Sequence, residues 1–282
     1  MILNSVRLLG RIQQVPCRSK GDDMKTFAYA VCAGTLCAAS ALAQSASELT
    51  RPETLTSPDG ETLKYRIHLP DGLAGKKLPL VLFLHGAGER GDDNALQLKH
   101  GVSDILCYSL TNGGAIVLAP QCPLNMQWVN TNWNAPAHSM PSMPSTPMKL
   151  TLMLLRKVMA DLPVDPARVY VTGISMGGYG TWDIIQREPA LFAAAIPICG
   201  GGDVALAPAL KHIPIRVFHG DQDNAVPVIR SRDMVQALKA CGGNVQYKEY
   251  AGAGHDVWTR TYADASVLKW LFAQQKGKAV RP

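Results

Sequence analysis

Short apolar runs alternate with amphipathic segments along the chain from Thr54 onward. Most of the six later runs carry no charge, which is typical of parallel strands buried on both faces; they lie at residues 78–84, 115–119, 169–173, 193–198, 215–218 and 245–250. The intervening segments predict helices at residues 148–160, 178–187, 228–240 and 262–275. Two earlier strands, at residues 53–57 and 61–69, flank a Pro-Asp-Gly turn and predict a hairpin. This alternation indicates an α/β fold with a mostly parallel central sheet flanked by helices.

The composition suits one globular domain that does not bind nucleic acid. Of the 282 residues, 47% are hydrophobic, which is enough to fill a large core. The formal net charge is +6, but residues 44–282 retain 23 basic and 20 acidic residues, and the surplus is scattered. Because nucleic-acid binding needs a basic stripe or patch, we expect no nucleic-acid partner. No linker interrupts the strand and helix alternation after Ser47, so residues 44–282 are predicted to form a single domain.

The N-terminal segment, residues 1–43, has the pattern of a cleaved signal peptide. A basic residue, Lys25, precedes a largely apolar run that ends near Ala39, and Ala41-Leu42-Ala43 is a small-x-small cleavage pattern. Cleavage after this tripeptide is predicted, with Met24 as the start of the signal and an upstream extension before it. A permanent membrane anchor is the alternative, but the run is short for a bilayer and rich in small residues. The mature chain is therefore expected in the periplasm or outside the cell, free of the membrane.

Four cysteines remain after this cleavage, namely Cys107, Cys122, Cys199 and Cys241. An even number in an exported chain suits one or two disulfides, with three possible full pairings. Small buried thiols are the alternative, and the sequence leaves both open. No C-x-x-C pair occurs, so we expect no metal and no cofactor.

The pentapeptide Gly173-Ile174-Ser175-Met176-Gly177 is the first candidate for chemistry. It follows a predicted strand and precedes a predicted helix, which is the setting in which a G-x-S-x-G serine becomes a nucleophile on a sharp turn. The alternative is a turn of small residues with a buried serine. A serine hydroxyl needs a base to take its proton and an acid to orient that base, so the choice depends on partners for Ser175.

Suitable partners follow two later strands. The strand at 215–218 ends in a turn that carries two carboxylates, Asp221 and Asp223, and the strand at 245–250 leads into a glycine-rich loop that carries His255. Ligands of parallel sheets bind beyond the carboxyl ends of the strands, where all of these residues are expected. The chain order of serine, acid and histidine is that of the α/β-hydrolases.

These residues belong to longer segments that resemble the α/β-hydrolase superfamily. Within it, the chain is similar to the branch of exported esterases and peptidases related to dienelactone hydrolase and prolyl oligopeptidase. The resemblance spans almost everything after residue 60, and the segments that carry it are Leu84-His85-Gly86-Ala87-Gly88-Glu89-Arg90-Gly91, Ala119-Pro120-Gln121-Cys122-Pro123, residues 165–178, and the loops around Asp223 and His255.

The resemblance implies an α/β-hydrolase fold and a role for each site residue. In relatives the catalytic acid follows a His-Gly pair by three positions, which favours Asp223 over Asp221, the latter being expected to cap its own turn. The backbone amide of Met176, just after the nucleophile, and that of Ala87 are expected to form an oxyanion hole. The histidine of that His-Gly pair, His219, is expected only to pack and to make local hydrogen bonds.

The surroundings of the predicted site favour an open cleft. Only residues 199–213 separate two strands between which relatives insert a cap domain, so we predict no cap domain. A long proline-rich loop, residues 121–147, should overhang the site, and its Trp128 and Trp133, together with Trp258, are candidate substrate-binding residues. For both loop tryptophans, packing against the body of the domain is the alternative.

Together these features predict a secreted serine esterase that cleaves carboxylic esters, either small or polymer-borne, through an acyl-enzyme on Ser175. A serine peptidase of the prolyl-oligopeptidase type is the alternative enzyme, and a non-catalytic binding module that keeps the fold is the alternative of another class. The acyl preference, the alcohol preference and the oligomeric state stay open.

Overall fold

The computed structural model describes residues 45–71 and 75–277. The predicted signal peptide therefore lies outside the described residues. Within them, no helix is both long enough and apolar enough to cross a membrane.

One eight-stranded sheet forms the centre of the molecule. Its strands are β1 (Arg51–Thr56), β2 (Thr62–His68), β3 (Leu78–Leu84), β4 (Ile116–Pro120), β5 (Val164–Ile174), β6 (Ala194–Ile198), β7 (Ile215–Gly220) and β8 (Val245–Tyr250). The strand order is β1-β2-β4-β3-β5-β6-β7-β8. The first two strands pair antiparallel with their neighbours, and β3 to β8 are parallel. The predicted mostly parallel sheet is therefore confirmed.

Seven helices surround this sheet in the described chain. They are α1 (Ala46–Leu49), α2 (Val102–Thr111), α3 (Thr146–Asp161), α4 (Met176–Arg187), α5 (Ile229–Ala240), α6 (Trp258–Ala263) and α7 (Ala265–Ala273). Helices pack on both faces of the sheet because β3 carries apolar side chains on both. Leu82 and Leu84 belong to one buried apolar cluster, and Val81 and Phe83 belong to a second one. The two clusters are the two layers of the core, one on each face of the sheet.

The helices differ from the sequence prediction in three places, the first being the short α1, which was not predicted. The helix α2 was not predicted, although its buried residues Val102, Ile105, Leu106 and Ser109 have helical spacing. The predicted helix at 262–275 is instead two short helices, α6 and α7. They are separated at Asp264, whose extended backbone ends α6 and whose side chain accepts a hydrogen bond from the Ser266 amide at the start of α7.

The connections beyond the carboxyl ends of the strands set the shape of the site. Between β6 and β7 lies one 3-10 segment, Val204–Leu210. No cap domain follows β6 in the described chain, as predicted. Residues 121–145, between β4 and α3, form a long loop that consists of turns and irregular backbone.

No disulfide forms in the described part of the chain, which decides between the two alternatives that the sequence left open. Cys107, Cys122, Cys199 and Cys241 are all free thiols. Cys122 and Cys199 are fully buried in the apolar clusters on opposite faces of the sheet, so the sheet itself separates them. The alternative of buried thiols therefore holds for these two residues.

Candidate active site

Ser175 occupies a strained turn between β5 and α4. Its backbone angles, φ 53° and ψ −117°, lie in a region that residues with a side chain rarely adopt. A β-carbon at Gly177 would lie 1.9 Å from the Leu84 carbonyl oxygen, and one at Gly173 would lie 2.3 Å from the Gly177 carbonyl oxygen. The two glycines of the pentapeptide are therefore required by backbone packing, and the turn leaves Ser175 partly exposed.

His255 lies beside this serine. Its Nε2 atom is 2.8 Å from the Ser175 hydroxyl oxygen, and its Nδ1 atom is 2.6 Å from Oδ2 of Asp223. The ends of β7 and β8 bring the acid and the histidine together, because a β-carbon at Gly220 would lie within 2.3 Å of the carbonyl oxygens of Ala253 and Gly254. The structure thus brings together the predicted serine, acid and histidine.

Asp223 is held as a buried carboxylate. Its Oδ1 atom accepts hydrogen bonds of 2.9 Å from the backbone amides of Ala225 and Val226. Burial works against ionisation, but hydrogen bonds from two imidazoles and the Val226 amide outweigh it and hold the pKa of Asp223 well below its usual range. A permanently ionised carboxylate is what a catalytic imidazole needs as its orienting partner.

The other two carboxylates near the site point elsewhere. Asp256 accepts hydrogen bonds from the amide and the hydroxyl of Thr259, away from the imidazole of His255. The prediction that Asp221 caps its own turn is wrong, because its Oδ1 atom is buried without a hydrogen-bond partner. Asp223 is therefore the carboxylate that meets the histidine.

His219 contacts the same oxygen of Asp223 as His255 does, Oδ2, and the sequence analysis missed this contact. Its Nε2 atom lies 3.1 Å from Oδ2 of Asp223 and 3.1 Å from the Val226 carbonyl oxygen. Because both neighbours are acceptors, this nitrogen carries a proton. The Nδ1 atom is 2.7 Å from the hydroxyl of Ser231, which in turn lies 3.1 Å from the Gly200 carbonyl oxygen. Two imidazoles therefore hydrogen-bond to one oxygen of the acid.

The two predicted oxyanion amides lie at the starts of helical segments next to the serine. Met176 is the first residue of α4, and Ala87 is the first residue of a 3-10 turn, Ala87–Glu89. Neither amide donates to another backbone group in the described ranges. Such free amides at a helix N-terminus favour a negative charge. Arg90 fixes the second loop by donating a 2.8 Å hydrogen bond to the Ala87 carbonyl oxygen.

The three predicted substrate-binding tryptophans lie in different environments. Trp128 is fully buried and donates a 3.0 Å hydrogen bond to the carbonyl oxygen of His85, so it packs against the body instead of forming an exposed platform. Trp133 is half-buried, with the Arg90 guanidinium 5.8 Å from its ring centre. Trp258 is also half-buried and stands edge-on to His255 at 5.1 Å. Trp133 and Trp258 therefore remain candidates for contact with a substrate.

Cys199, Asp223 and His255 place three potential metal ligands within 4.8 Å of one another. These atoms do not suit a metal ion. Both oxygens of the carboxylate and both nitrogens of the imidazole have hydrogen-bond partners, and burial raises the pKa of the Cys199 thiol far above its usual range. Because metal binding by cysteine requires a thiolate, the group is better explained as part of the hydrogen-bonded site.

The chain is similar to several esterases. The sequence model of the phospholipase/carboxylesterase family matches residues 73–268. Feruloyl esterase C of Emericella nidulans is 26% identical over 213 residues, which cover 69% of this chain and 72% of that enzyme. The crystal structure of a thermostable esterase is 40% identical with a TM-score of 0.75, and the match covers 81% of this chain and 64% of that one.

A further relative is much longer than this chain. An uncharacterized secreted protein of Arthroderma benhamiae is 26% identical over 210 residues, which cover 64% of this chain and 21% of that protein. The family match nevertheless spans more than half of the chain. The chain therefore belongs to the phospholipase/carboxylesterase family, a family of serine esterases with the α/β-hydrolase fold.

Proposed function

We propose that this protein hydrolyses carboxylic esters through a covalent acyl-enzyme on Ser175. The observation that carries the proposal is the continuous chain of short contacts from the serine hydroxyl through His255 to Asp223, at 2.8 Å and 2.6 Å. These distances lie in the range over which a base accepts a proton from a nucleophile.

The reaction follows from the atoms in place. Ser175 Oγ attacks the ester carbonyl while Nε2 of His255 takes its proton, and the negative charge of Asp223 stabilises the resulting imidazolium. The amides of Met176 and Ala87 stabilise the oxyanion. The tetrahedral intermediate then collapses, and the alcohol leaves with the proton from His255. Water, activated by the same imidazole, releases the acid and restores the free serine.

The substrate is proposed to be a small-molecule or polymer-borne ester. Because only a short 3-10 segment lies between β6 and β7, the open end of the sheet leaves room for a bulky alcohol. Trp133 and Trp258 offer aromatic faces for an aryl group. The similarity to feruloyl esterase C supports this substrate class, and the family supports an ester over a peptide bond.

Export of the chain is part of the same proposal. Residues 1–43 carry the pattern of a signal peptide, and the relatives include a secreted protein. Mass spectrometry of the protein produced from its full sequence is expected to show a mature N-terminus at Gln44.

The decisive experiment compares the chain lacking residues 1–43 with its Ser175→Ala variant. Short p-nitrophenyl esters are expected to be hydrolysed only by the former, and a fluorophosphonate probe is expected to modify Ser175. The exposed Ser103→Ala variant is the matched control and should retain activity and labelling.

Each failure has a separate meaning. Equal hydrolysis by the Ser175→Ala variant would refute the acyl-enzyme. The absence of any adduct would favour a non-catalytic binding module. Cleavage of peptide substrates in preference to esters would favour the peptidase.

A further inference from the structure

A buried guanidinium beside the site has no carboxylate partner. Arg230, in the first turn of α5, is only 3% exposed. No carboxylate of the described chain forms an ion pair with it, and its Nε atom has no hydrogen-bond acceptor at all. Burying an unpaired charge is costly, so a guanidinium kept in this state calls for an explanation.

Two carboxylates in the neighbourhood of this arginine are hydrogen-bonded to other groups. Asp223 is hydrogen-bonded by two imidazoles and two amides. Asp203 accepts from the backbone amides of Ala205 and Met140, one on each oxygen. Neither carboxylate forms an ion pair with Arg230 in the described chain.

The group that does contact the guanidinium is neutral. An Nη2 atom of Arg230 hydrogen-bonds to Nδ1 of His138, which lies on the overhanging loop 121–145. Burial and the neighbouring cation of Arg230 lower the pKa of His138 to about 4, so this imidazole accepts the hydrogen bond in its uncharged form. A neutral acceptor on a loop is a weaker partner for a guanidinium than an anionic oxygen would be.

The position of Arg230 connects it to the cleft. Its guanidinium lies 5.3 Å from the ring centre of Tyr179, which is one helical turn after Ser175 on α4. Tyr179 donates a 2.9 Å hydrogen bond to the carbonyl oxygen of Trp133, whose own ring N–H is buried without a partner. Tyr179 thus contacts both the guanidinium of Arg230 and the backbone of Trp133.

Glycine makes room for this arrangement. A β-carbon at Gly201, just beyond β6, would lie 2.6 Å from Nε of Arg230. The other side of the nucleophile is occupied by His255 with Trp258 edge-on to it, and the ring N–H of Trp258 is likewise buried without a partner. Since His255 protonates the leaving alcohol, the wall with Arg230 is assigned to the acid half of the ester.

We propose that Arg230, together with Tyr179 and Trp133, forms a subsite for an anionic oxygen group, such as a carboxylate, carried by the acid half of the substrate. When the substrate is bound, its anionic group replaces His138 on the guanidinium of Arg230 and accepts the hydrogen bonds that the guanidinium leaves unmade. The subsite rests on the proposed ester hydrolysis and narrows its substrates to esters of acids that carry a second, charged end.

The test compares esters that differ only in this charge. 4-Nitrophenyl hydrogen adipate and hydrogen suberate are paired with the hexanoate and octanoate of equal carbon number. In the wild-type protein, at least one hemiester is expected to have a kcat/KM no lower than that of its neutral partner. In Arg230→Gln the ratio of hemiester to neutral kcat/KM is expected to fall at least about tenfold, mainly through KM, while Arg230→Lys lies between the two. Equal ratios in the wild type and Arg230→Gln would overturn the subsite.

A matched control and a binding measurement keep the test independent of folding and of chemistry. Arg232→Gln removes the next arginine on the same helix, which pairs with Glu249 at the surface, and should leave the ratio unchanged. Calorimetric titration of Ser175→Ala with adipate should give saturable binding that the added Arg230→Gln change abolishes. No saturable binding would also overturn the proposal, whereas hydrolysis by Ser175→Ala would instead refute the proposed function.

Discussion

The relay, which runs from Ser175 to His219, and the loop wall, which we define as the loop 121–145 with the start of α5, differ in how completely their polar side chains are paired. From the serine hydroxyl through His255, Asp223 and His219, each polar side chain has a partner within 3.1 Å. On the loop wall, buried polar atoms of Gln127, Trp133 and Arg230 have no partner in the described chain. In the relay every polar side chain has a hydrogen-bond partner without a substrate, whereas on the loop wall three buried polar atoms have none. Unsatisfied buried groups are expected where a ligand supplies the missing partner.

Removing the charge of the acid is expected to cause the largest effect on this comparison. Asp223→Asn should lower kcat by about 10³- to 10⁴-fold, because it removes the carboxylate that orients His255 and stabilises its charged form. Steady-state kinetics on a p-nitrophenyl ester measures this loss. Asp221→Asn is the matched control, since Asp221 does not contact the histidine. A larger loss from Asp221→Asn would show that the acid is assigned wrongly.

Removing the second imidazole should have a smaller effect. His219→Ala takes away a hydrogen bond to a buried carboxylate, and we expect kcat to fall about 10- to 100-fold with KM nearly unchanged. His219→Gln can still donate a hydrogen bond and should recover part of this loss. Rates are to be divided by the fraction of protein that a fluorophosphonate labels, so that misfolded molecules do not count. Equal kcat in His219→Ala and the wild type would show that His219 only fills space.

The low pKa of Asp223 also predicts a dependence of stability on pH. Because the folded-state pKa lies below the ordinary value of 3.8, the ionised carboxylate stabilises the fold above that value, and this contribution is lost as the pH falls below it. The difference in free energy of unfolding between the wild type and Asp223→Asn should therefore shrink when urea denaturation is moved from pH 6 to pH 3. A difference that grew on acidification would contradict the assignment.

The smallest effects are expected on the aromatic walls of the cleft. Trp258→Ala should raise KM for an aryl ester by a few-fold, about 1 kcal/mol, because it removes one aromatic face but no reacting group. The same substitution at Trp270, which packs against Arg216 away from the site, is the control. A loss of kcat with unchanged KM would place Trp258 in the support of His255 instead.

The sequence was most informative where local rules decide the structure. The strands were predictable because burial on both faces demands uninterrupted apolar runs, as in β3. The strained turn at Ser175 was predictable because the close approach of α4 to the Leu84 carbonyl excludes any side chain at Gly177. The chain order of Ser175, Asp223 and His255 then followed from the positions of the strand ends.

Contacts that depend on the packing of distant segments were not predictable. His219 meets Ser231 only because α5 folds back over the end of β7, so the sequence showed no more than a histidine before a glycine. Trp128 and Trp133 share one loop, yet the first is fully buried against His85 and the second is only half-buried. The isolated guanidinium of Arg230 is likewise a property of the folded loop, which brings His138 to it.

The four free thiols have a practical consequence for preparing the protein. Burial raises the pKa of Cys122 to about 12, so this thiol does not ionise at neutral pH and resists oxidation. Cys199 is shielded in the same way on the opposite face of the sheet. Since no disulfide links these cysteines in the described residues, residues 44–282 are expected to fold in a reducing cytosol without an oxidising folding catalyst.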